Sequence, residues 1–359
     1  MKFGLMSHDE RNLEVAADAW EEDLREIVAA ERLGFSEAWI TEHPTSSSAG
    51  TQTRADLFIC KVAARTKRIL LGPGIRVLGL YHPFHVATEA AVCDHLTGGR
   101  YMAGFGAGGE RGNTLANLGL GDNSESHDRM FEAVDFIVRC WTEPEPFDYH
   151  GRFWQCRNVR INPKPLQTPH MPVGIACSRA GHTLEFAADR GMLPLLGHFD
   201  PPPALREMVD IFVGTNEAAK RAPRRKDIRV TRYVYVSDSV KNAKDEVRDA
   251  LMPIMARRMR AFPYQFETML PASGSLDDIS FDYMVDVGAI FVGDPDSVAR
   301  SIKAAYDETG GFGVLLLHAG KNVGTRRQRM RSMRLFMEEV APQVEALDPD
   351  AAEFAEARA

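Results

Sequence analysis

The stretch Ile69–Gly109, ILLGPGIRVLGLYHPFHVATEAAVCDHLTGGRYMAGFGAGG, reads as strand, short loop, helix, strand and glycine-rich loop. Ile69–Val77 is apolar except for Arg76 and is interrupted by Gly72, Pro73 and Gly74. A continuous apolar run of this kind suits a strand buried on both faces of a parallel sheet. Pro83 then opens a helix, where its missing N–H costs nothing, and Thr97-Gly98-Gly99 stops it. Tyr101–Phe105 is the next strand, with Gly106-Ala107-Gly108-Gly109 after it. Two strands joined by a helix make a right-handed βαβ unit, and both strands end at the C-terminal edge, where α/β folds place their chemistry.

Outward from this unit the alternation continues. On the N-terminal side, Lys2–Met6 and Ala38–Thr41 read as strands. Val15–Gly34 reads as an amphipathic helix with Trp20, Leu24, Ile27 and Val28 on one face, and Thr51–Thr66 as another helix. On the C-terminal side, strands are expected at 172–177, 192–196, 228–236 and 313–317. Helices are expected at 126–141, 183–190, 204–220, 240–259, 296–309 and 325–340, the last with Met330, Met333, Met337 and Val340 at heptad spacing. Glu110–Asn123 reads as a loop. Glu143–Gln167, rich in proline and aromatics, reads as an irregular insertion or small hairpin, and Arg260–Gly293 as a second irregular excursion. Eight strands each followed by helical sequence, with no linker and no internal repeat, predict an α/β fold. The expectation is a single (β/α)8 TIM barrel over 1–345, with a polar tail over 346–359 that frays.

Composition narrows the function. Among 359 residues, 44% are hydrophobic and 26% charged, ordinary for a soluble globular chain. A net charge of −7 with only short basic clusters argues against nucleic acid as a partner. No apolar run approaches the roughly 20 residues needed to span a membrane, and the chain enters a strand at once, so no signal peptide is expected. The cysteines Cys60, Cys93, Cys140, Cys156 and Cys177 are scattered without a CxxC, which reads as cytoplasmic free thiols, mostly core filler.

Three groups have chemical potential. Gly104-Phe105-Gly106-Ala107-Gly108-Gly109 matches G-x-G-x-x-G after a strand, but a dinucleotide fold wants this at its first strand with a helix opening at once. The readings left are a tight turn, or a barrel loop whose backbone approaches a cofactor. His43, His82, His198 and His318 each fall at the C-terminal end of an expected strand, the catalytic edge of a barrel. No metal is expected, since no ligand carboxylate spacing or HxH accompanies them. Ser178-Arg179-Ala180-Gly181-His182-Thr183 opens a helix, with Ser178 or Thr183 as its N-cap; the N–H groups and the arginine also make this an anion site.

These residues carry a resemblance. The chain is similar to the bacterial luciferase-like family of flavin-dependent monooxygenases through Met1-Lys2-Phe3-Gly4, Ala38-Trp39-Ile40-Thr41-Glu42-His43, His82-Pro83, Asp94-His95-Leu96-Thr97-Gly98-Gly99-Arg100, Ala187-Ala188-Asp189-Arg190-Gly191 and Val292-Gly293-Asp294-Pro295. The resemblance implies the same barrel and reduced FMN as cofactor, supplied by a separate NAD(P)H-dependent flavin reductase. Oxygen adds at the flavin C4a position, and the peroxyflavin hydroxylates a small apolar substrate or oxidises it in the Baeyer–Villiger manner. It also implies a homodimer.

By the same resemblance His43 is the catalytic histidine beside the flavin. Gly74-Ile75 falls where the family often has a non-proline cis peptide against the isoalloxazine ring, which makes Gly74 and Ile75 cofactor-binding. Arg76, His82, Gly106, Ala107 and Gly108 join Ser178–Thr183 as cofactor-binding residues, with Met6, His198 and Phe199 lining the substrate pocket. Pro44 stands where luciferase has a second histidine, and Arg179-Ala180 where it has a Glu-Ser pair, which argues against light emission. Two alternatives stay open: an F420-dependent oxidoreductase of the same fold, and a non-catalytic flavin-binding subunit. Glu42, alternating to the face opposite His43, is expected to be a salt-bridge partner at the rim.

Overall fold

A computed structural model describes residues 1–7, 16–43, 54–108, 114–179, 181–197, 199–318 and 323–349. In chain order the strands are β1 (Lys2–Ser7), β2 (Glu37–Ile40), β3 (Leu70–Pro73), β4 (Arg76–Val77), β5 (Ala103–Gly106), β6 (Phe147–His150), β7 (Gln155–Val159), β8 (Val173–Cys177), β9 (Leu193–Leu196), β10 (Arg229–Val236), β11 (Ile290–Gly293) and β12 (Val314–His318). The helices are α1 (Ala16–Leu33), α2 (Ala55–Ala63), α3 (Pro83–Thr97), α4 (Thr114–Asn117), α5 (Ser126–Thr142), α6 (His182–Asp189), α7 (Pro202–Ala218), α8 (Val240–Ala261), α9 (Phe281–Asp286), α10 (Pro295–Thr309), α11 (Arg326–Leu335) and α12 (Ala341–Val344). Contacts divide the chain into two compact units, Ala38–Ala176 and Met1–Glu37 with Cys177–Ala359.

In the unit of Ala38–Ala176, β4, β5 and β8 run parallel, with Arg76 opposite Phe105 and Ala103 opposite Val173. The run expected as one strand is two, β3 and β4, broken at Gly74-Ile75, whose peptide is cis. The Gly74 N–H bonds to the Ile40 carbonyl at 2.7 Å, fastening β3 to the end of β2. Fully buried Trp39 explains two glycines: a Cβ on Gly72 or Gly104 would press on its ring as well as on neighbouring backbone. Helix α3 starts as its sequence predicts, with Pro83 in the first turn, and ends at Gly98 in the left-handed region (φ 68°).

The excursion over 143–167 contains the hairpin β6–β7, paired antiparallel with a register shift. Its turn is held by the Glu132 carboxylate, which accepts from the N–H groups of Arg152 (2.8 Å), Phe153 and Trp154 (both 3.1 Å). Within the described part of 110–123, expected as loop, Thr114–Asn117 forms the short helix α4.

In the other unit β12 pairs with both β1 and β10, all parallel. Strand β10 is buried along its whole length, polar residues included, because it has neighbours on both edges. Its first five residues face β12 and its last four face β11, Tyr233 being shared. The expectation of eight strands therefore needs one correction: β11 lies inside the stretch read as an irregular excursion. That stretch otherwise holds short helical turns and α9, which close over an apolar cluster including Phe199, Tyr233, Phe266 and Met269. Charge is also buried here. Glu37, on β2's first residue, pairs with Arg229 at 3.3 Å. On α1, Trp20 is exposed while Leu24 and Ile27 are buried, so the buried stripe is turned away from the indole.

Candidate active site

After β2 come Thr41 and Glu42, both buried, and His43, half-buried. Glu42 is not the rim ion-pair partner that strand alternation suggests. Strand β2 ends at Ile40, so alternation no longer governs it. One Glu42 carboxylate oxygen accepts from the Tyr81 hydroxyl at 2.7 Å and the other from the Ala55 N–H at 3.0 Å. Burial pushes its pKa up, against the opposing pull of Arg76 and of these hydrogen bonds.

Arg76 lies beside it, 2% exposed. One Nη contacts Asp56 at 2.7 Å and the other contacts Glu89 at 2.7 Å. Asp56 in turn accepts from the buried Tyr101 hydroxyl at 2.7 Å. The Tyr81 ring lies under two guanidiniums, Arg54 at 4.8 Å and Arg76 at 5.0 Å. Arg76, expected to bind cofactor, thus has its charge turned to the protein's own carboxylates. Asp56, Tyr81 and Glu89 were not foreseen; the legible trace was an aspartate in the otherwise apolar start of α2.

His82 caps α3: its Nδ1 accepts from the Phe84 N–H at 3.2 Å. Its ring lines an open cavity of about 400 Å3 with His85, Cys156, Arg157 and Arg160. Burial and then His85 hold its imidazole below the ordinary range. The glycines at and after the end of β5 have a packing role. A Cβ on Gly106 would strike Ile75 Cδ1 at 2.4 Å, and one on Gly108 (φ 88°) would strike Val77 Cγ1 at 2.5 Å. Ala107 between them is buried. Gly109 lies outside the described residues.

In the other unit, Ser178 and Arg179 are exposed after β8. The Arg179 Nη2 donates to the Tyr264 carbonyl at 2.7 Å and to Glu267 at 3.0 Å. The N-cap of α6 is Gly181 (φ 144°), with no side-chain hydrogen bond, so neither Ser178 nor Thr183 caps the helix as expected. A Cβ on Gly181 would meet nothing within 4 Å. A helix start without a side-chain cap, open space at the Gly181 Cβ position and an exposed arginine nearby fit a phosphate. Glu185 in the same turn has its own partner, His182, at 2.7 Å. Ala180 and His198 lie outside the described residues.

Met6 is buried on β1, opposite His318, which is itself opposite Tyr233. The His318 ring meets Tyr233 edge-on, with centroids 5.8 Å apart. Phe199 stacks on Phe266 at 6.1 Å. Next to it, burial pushes the Asp200 carboxyl up while the Thr268 hydroxyl, 2.8 Å away, and Arg232 pull it back. Fully buried Arg232 is itself lowered to about 10 by burial, with Asp200 opposing. No group of three or more His, Cys, Asp or Glu among the described residues is placed to hold a metal ion. No helix among them is long and apolar enough to cross a membrane.

Residues 1–312 match the model of the luciferase-like monooxygenases. The chain belongs to this family. It is 30% identical over 319 residues to 4-hydroxyprotoasukamycin monooxygenase of Streptomyces nodosus subsp. asukaensis, covering 87% of this chain and 83% of that one. It is 27% identical to limonene 1,2-monooxygenase of Rhodococcus erythropolis, covering 89% and 80%. Among solved structures it is similar to the oxygenating constituent of 3,6-diketocamphane monooxygenase from Pseudomonas putida, a type II Baeyer–Villiger monooxygenase in complex with FMN. The TM-score is 0.83 at 22% identity, covering 96% of this chain and 98% of that one. The fold class is the luciferase-like (β/α)8 barrel, and the named relatives are monooxygenases, a class of oxidoreductase.

Proposed function

We propose that this luciferase-like protein is a flavin-dependent monooxygenase that takes reduced FMN from a separate reductase. It oxidises a small, largely apolar organic substrate with O2, by hydroxylation or Baeyer–Villiger insertion. One oxygen atom enters the substrate, the other leaves as water, and reduced FMN supplies the two electrons. The observation that carries the reading is the loop before α6: a helix start with no side-chain cap, open space at Gly181 and an exposed Arg179. Together these suit the phosphate of FMN.

Bound reduced FMN supplies the oxygen-activating chemistry. The residues of this chain do the rest. Arg179 and the N–H groups at the start of α6, with Ser178, anchor the phosphate. His43 holds or delivers a proton near neutral pH, which suits an imidazole at the end of a strand. The apolar cluster around Phe199 and Phe266, with Met6 on β1, favours substrates that shed water readily. Limonene and the diketocamphanes, named in the relatives' activities, are compounds of that kind.

The test offers reduced FMN and reduced F420 side by side, in air, with a panel of terpenes, cyclic ketones and aromatics. Oxygenated product is expected with reduced FMN. Substrate reduction with reduced F420 alone would replace this reading, and flavin binding with no product from any substrate would favour a non-catalytic subunit.

A further inference from the structure

The hydrogen-bond and charge network after β2 has a geometry that a rim decoration would not need. The described chain leaves β2 through Thr41, Glu42 and His43 and resumes at Arg54. Glu42 fastens these two ends together, because its carboxylate accepts from the N–H of Ala55, the first residue of α2. Its other oxygen reaches Tyr81, which follows β4 and a short helical turn. Two residues earlier, the Ile40 carbonyl accepts from Gly74. The backbone on which His43 stands is thus pinned at Ile40 and again at Glu42, the residue next to it.

The pins are themselves locked. Tyr81 cannot swing freely, since Arg54 and Arg76 lie over its ring. Arg76 is held by Asp56 and Glu89, and Asp56 by Tyr101. Glu42 is 4% exposed and each of its oxygens has a donor. A buried carboxylate satisfied in this way fixes the segment that bears it, because moving it would strand a charge away from water.

We propose that Glu42 and Tyr81 are a positioning pair for His43, setting the place and orientation of its imidazole through the strand end. The role deepens the reading in which His43 handles the proton and rests on it. Glu42 and Tyr81 do not touch the reacting atoms themselves.

The test reads His43 directly in the flavin-free protein, by the Cε1–Hε1 imidazole cross-peaks of 13C-labelled histidines. His43→Ala assigns the peak. Tyr81→Phe removes one hydroxyl and keeps the ring against its arginines. Its expected result is a shifted and broadened His43 peak, with the His170 and His318 peaks unmoved. Glu42→Ala is expected to move the His43 peak further. Glu42→Gln should return it toward wild type, since the amide oxygen accepts from Ala55 and the amide N–H2 donates to the Tyr81 oxygen. If Glu42→Ala does not fold, Tyr81→Phe and Glu42→Gln carry the comparison. A His43 peak unchanged in Tyr81→Phe, whatever the loss in thermal stability, would overturn the proposal and leave the network a framework only. A second measurement separates the two readings. With reduced FMN and a substrate that the wild type oxygenates, in air, Tyr81→Phe should raise the yield of hydrogen peroxide several-fold. Peaks that move while peroxide yield is unaffected even by His43→Ala would keep the positioning pair and remove the proton role assigned to His43.

Discussion

Arg76 and Arg179 follow the same kind of sequence, a buried parallel strand or its end, and they meet opposite fates. Arg76 is 2% exposed and is shared between Asp56 and Glu89. Arg179 keeps a side chain 49% exposed, with Glu267 and one carbonyl as partners. The difference lies in what the fold brings up. Helices α2 and α3 each deliver a carboxylate to Arg76, from 20 and 13 residues away, whereas Arg179 stands before an uncapped helix start. A guanidinium paired with two carboxylates inside the protein is framework; one at the surface, lightly held, is free to exchange its partner for a ligand.

The largest expected effect breaks the first of these. Arg76→Ala removes the charge opposite Asp56 and the opposing charge that Arg76 offers Glu42, and removing one partner of a buried pair costs about 3–5 kcal/mol. Urea unfolding should show a loss of that order. Arg179→Ala should stay within about 0.5 kcal/mol of wild type, as exposed ion pairs do. Equal losses in the two variants would erase the distinction.

Next in size is His43. His43→Ala is expected to lower turnover about 10²-fold or more, as the loss of a general acid–base group does. Stability and flavin affinity should remain near wild type while peroxide rises, which stopped-flow traces and peroxide yield measure together. Wild-type coupling would make the residue structural.

Arg179→Ala, with stability unchanged, should weaken reduced-FMN binding about tenfold, since a hydrogen bond to a charged group is worth about 1.5–3 kcal/mol. Equilibrium binding at physiological salt decides this, and riboflavin, which lacks the phosphate, should bind both proteins alike.

The smallest effect contrasts two glutamates. Glu246 accepts from Tyr235 at 2.6 Å and Arg331 at 2.7 Å; burial pushes its pKa up, but these partners outweigh it and hold the carboxyl below its ordinary value. Its stabilisation is therefore full above the ordinary carboxylate range and is lost as pH falls through the lowered folded value. Glu42 is shifted upward, so the folded protein holds its proton longer than the unfolded chain. Stability then falls as pH rises from the ordinary carboxylate range through the raised value, and levels off above it. Urea midpoints against pH should lose the first slope in Glu246→Gln and the second in Glu42→Gln.

The same contrast explains what was legible in the sequence. The βαβ unit around Ile69–Gly109 could be read because apolar runs, Pro83 and Gly98 act locally. Strand β11 could not, because IFVG lies at the end of a run of irregular turns that masks it. Arg76 looked available because the acids that claim it are distant in sequence. Glu42 was misplaced by extending alternation two residues past the end of β2. Gly106 and Gly108 were legible as close approaches, and the protein partners of that approach are Ile75 and Val77.

An isotope experiment tests reduced-FMN-dependent oxygenation most directly. The protein is given chemically reduced FMN, a cyclic terpene or ketone that it turns over, and 18O2 in unlabelled water. The expected product contains one 18O atom per molecule, with no product formed when reduced F420 replaces reduced FMN. Product free of label, or formed equally well without oxygen, would contradict it.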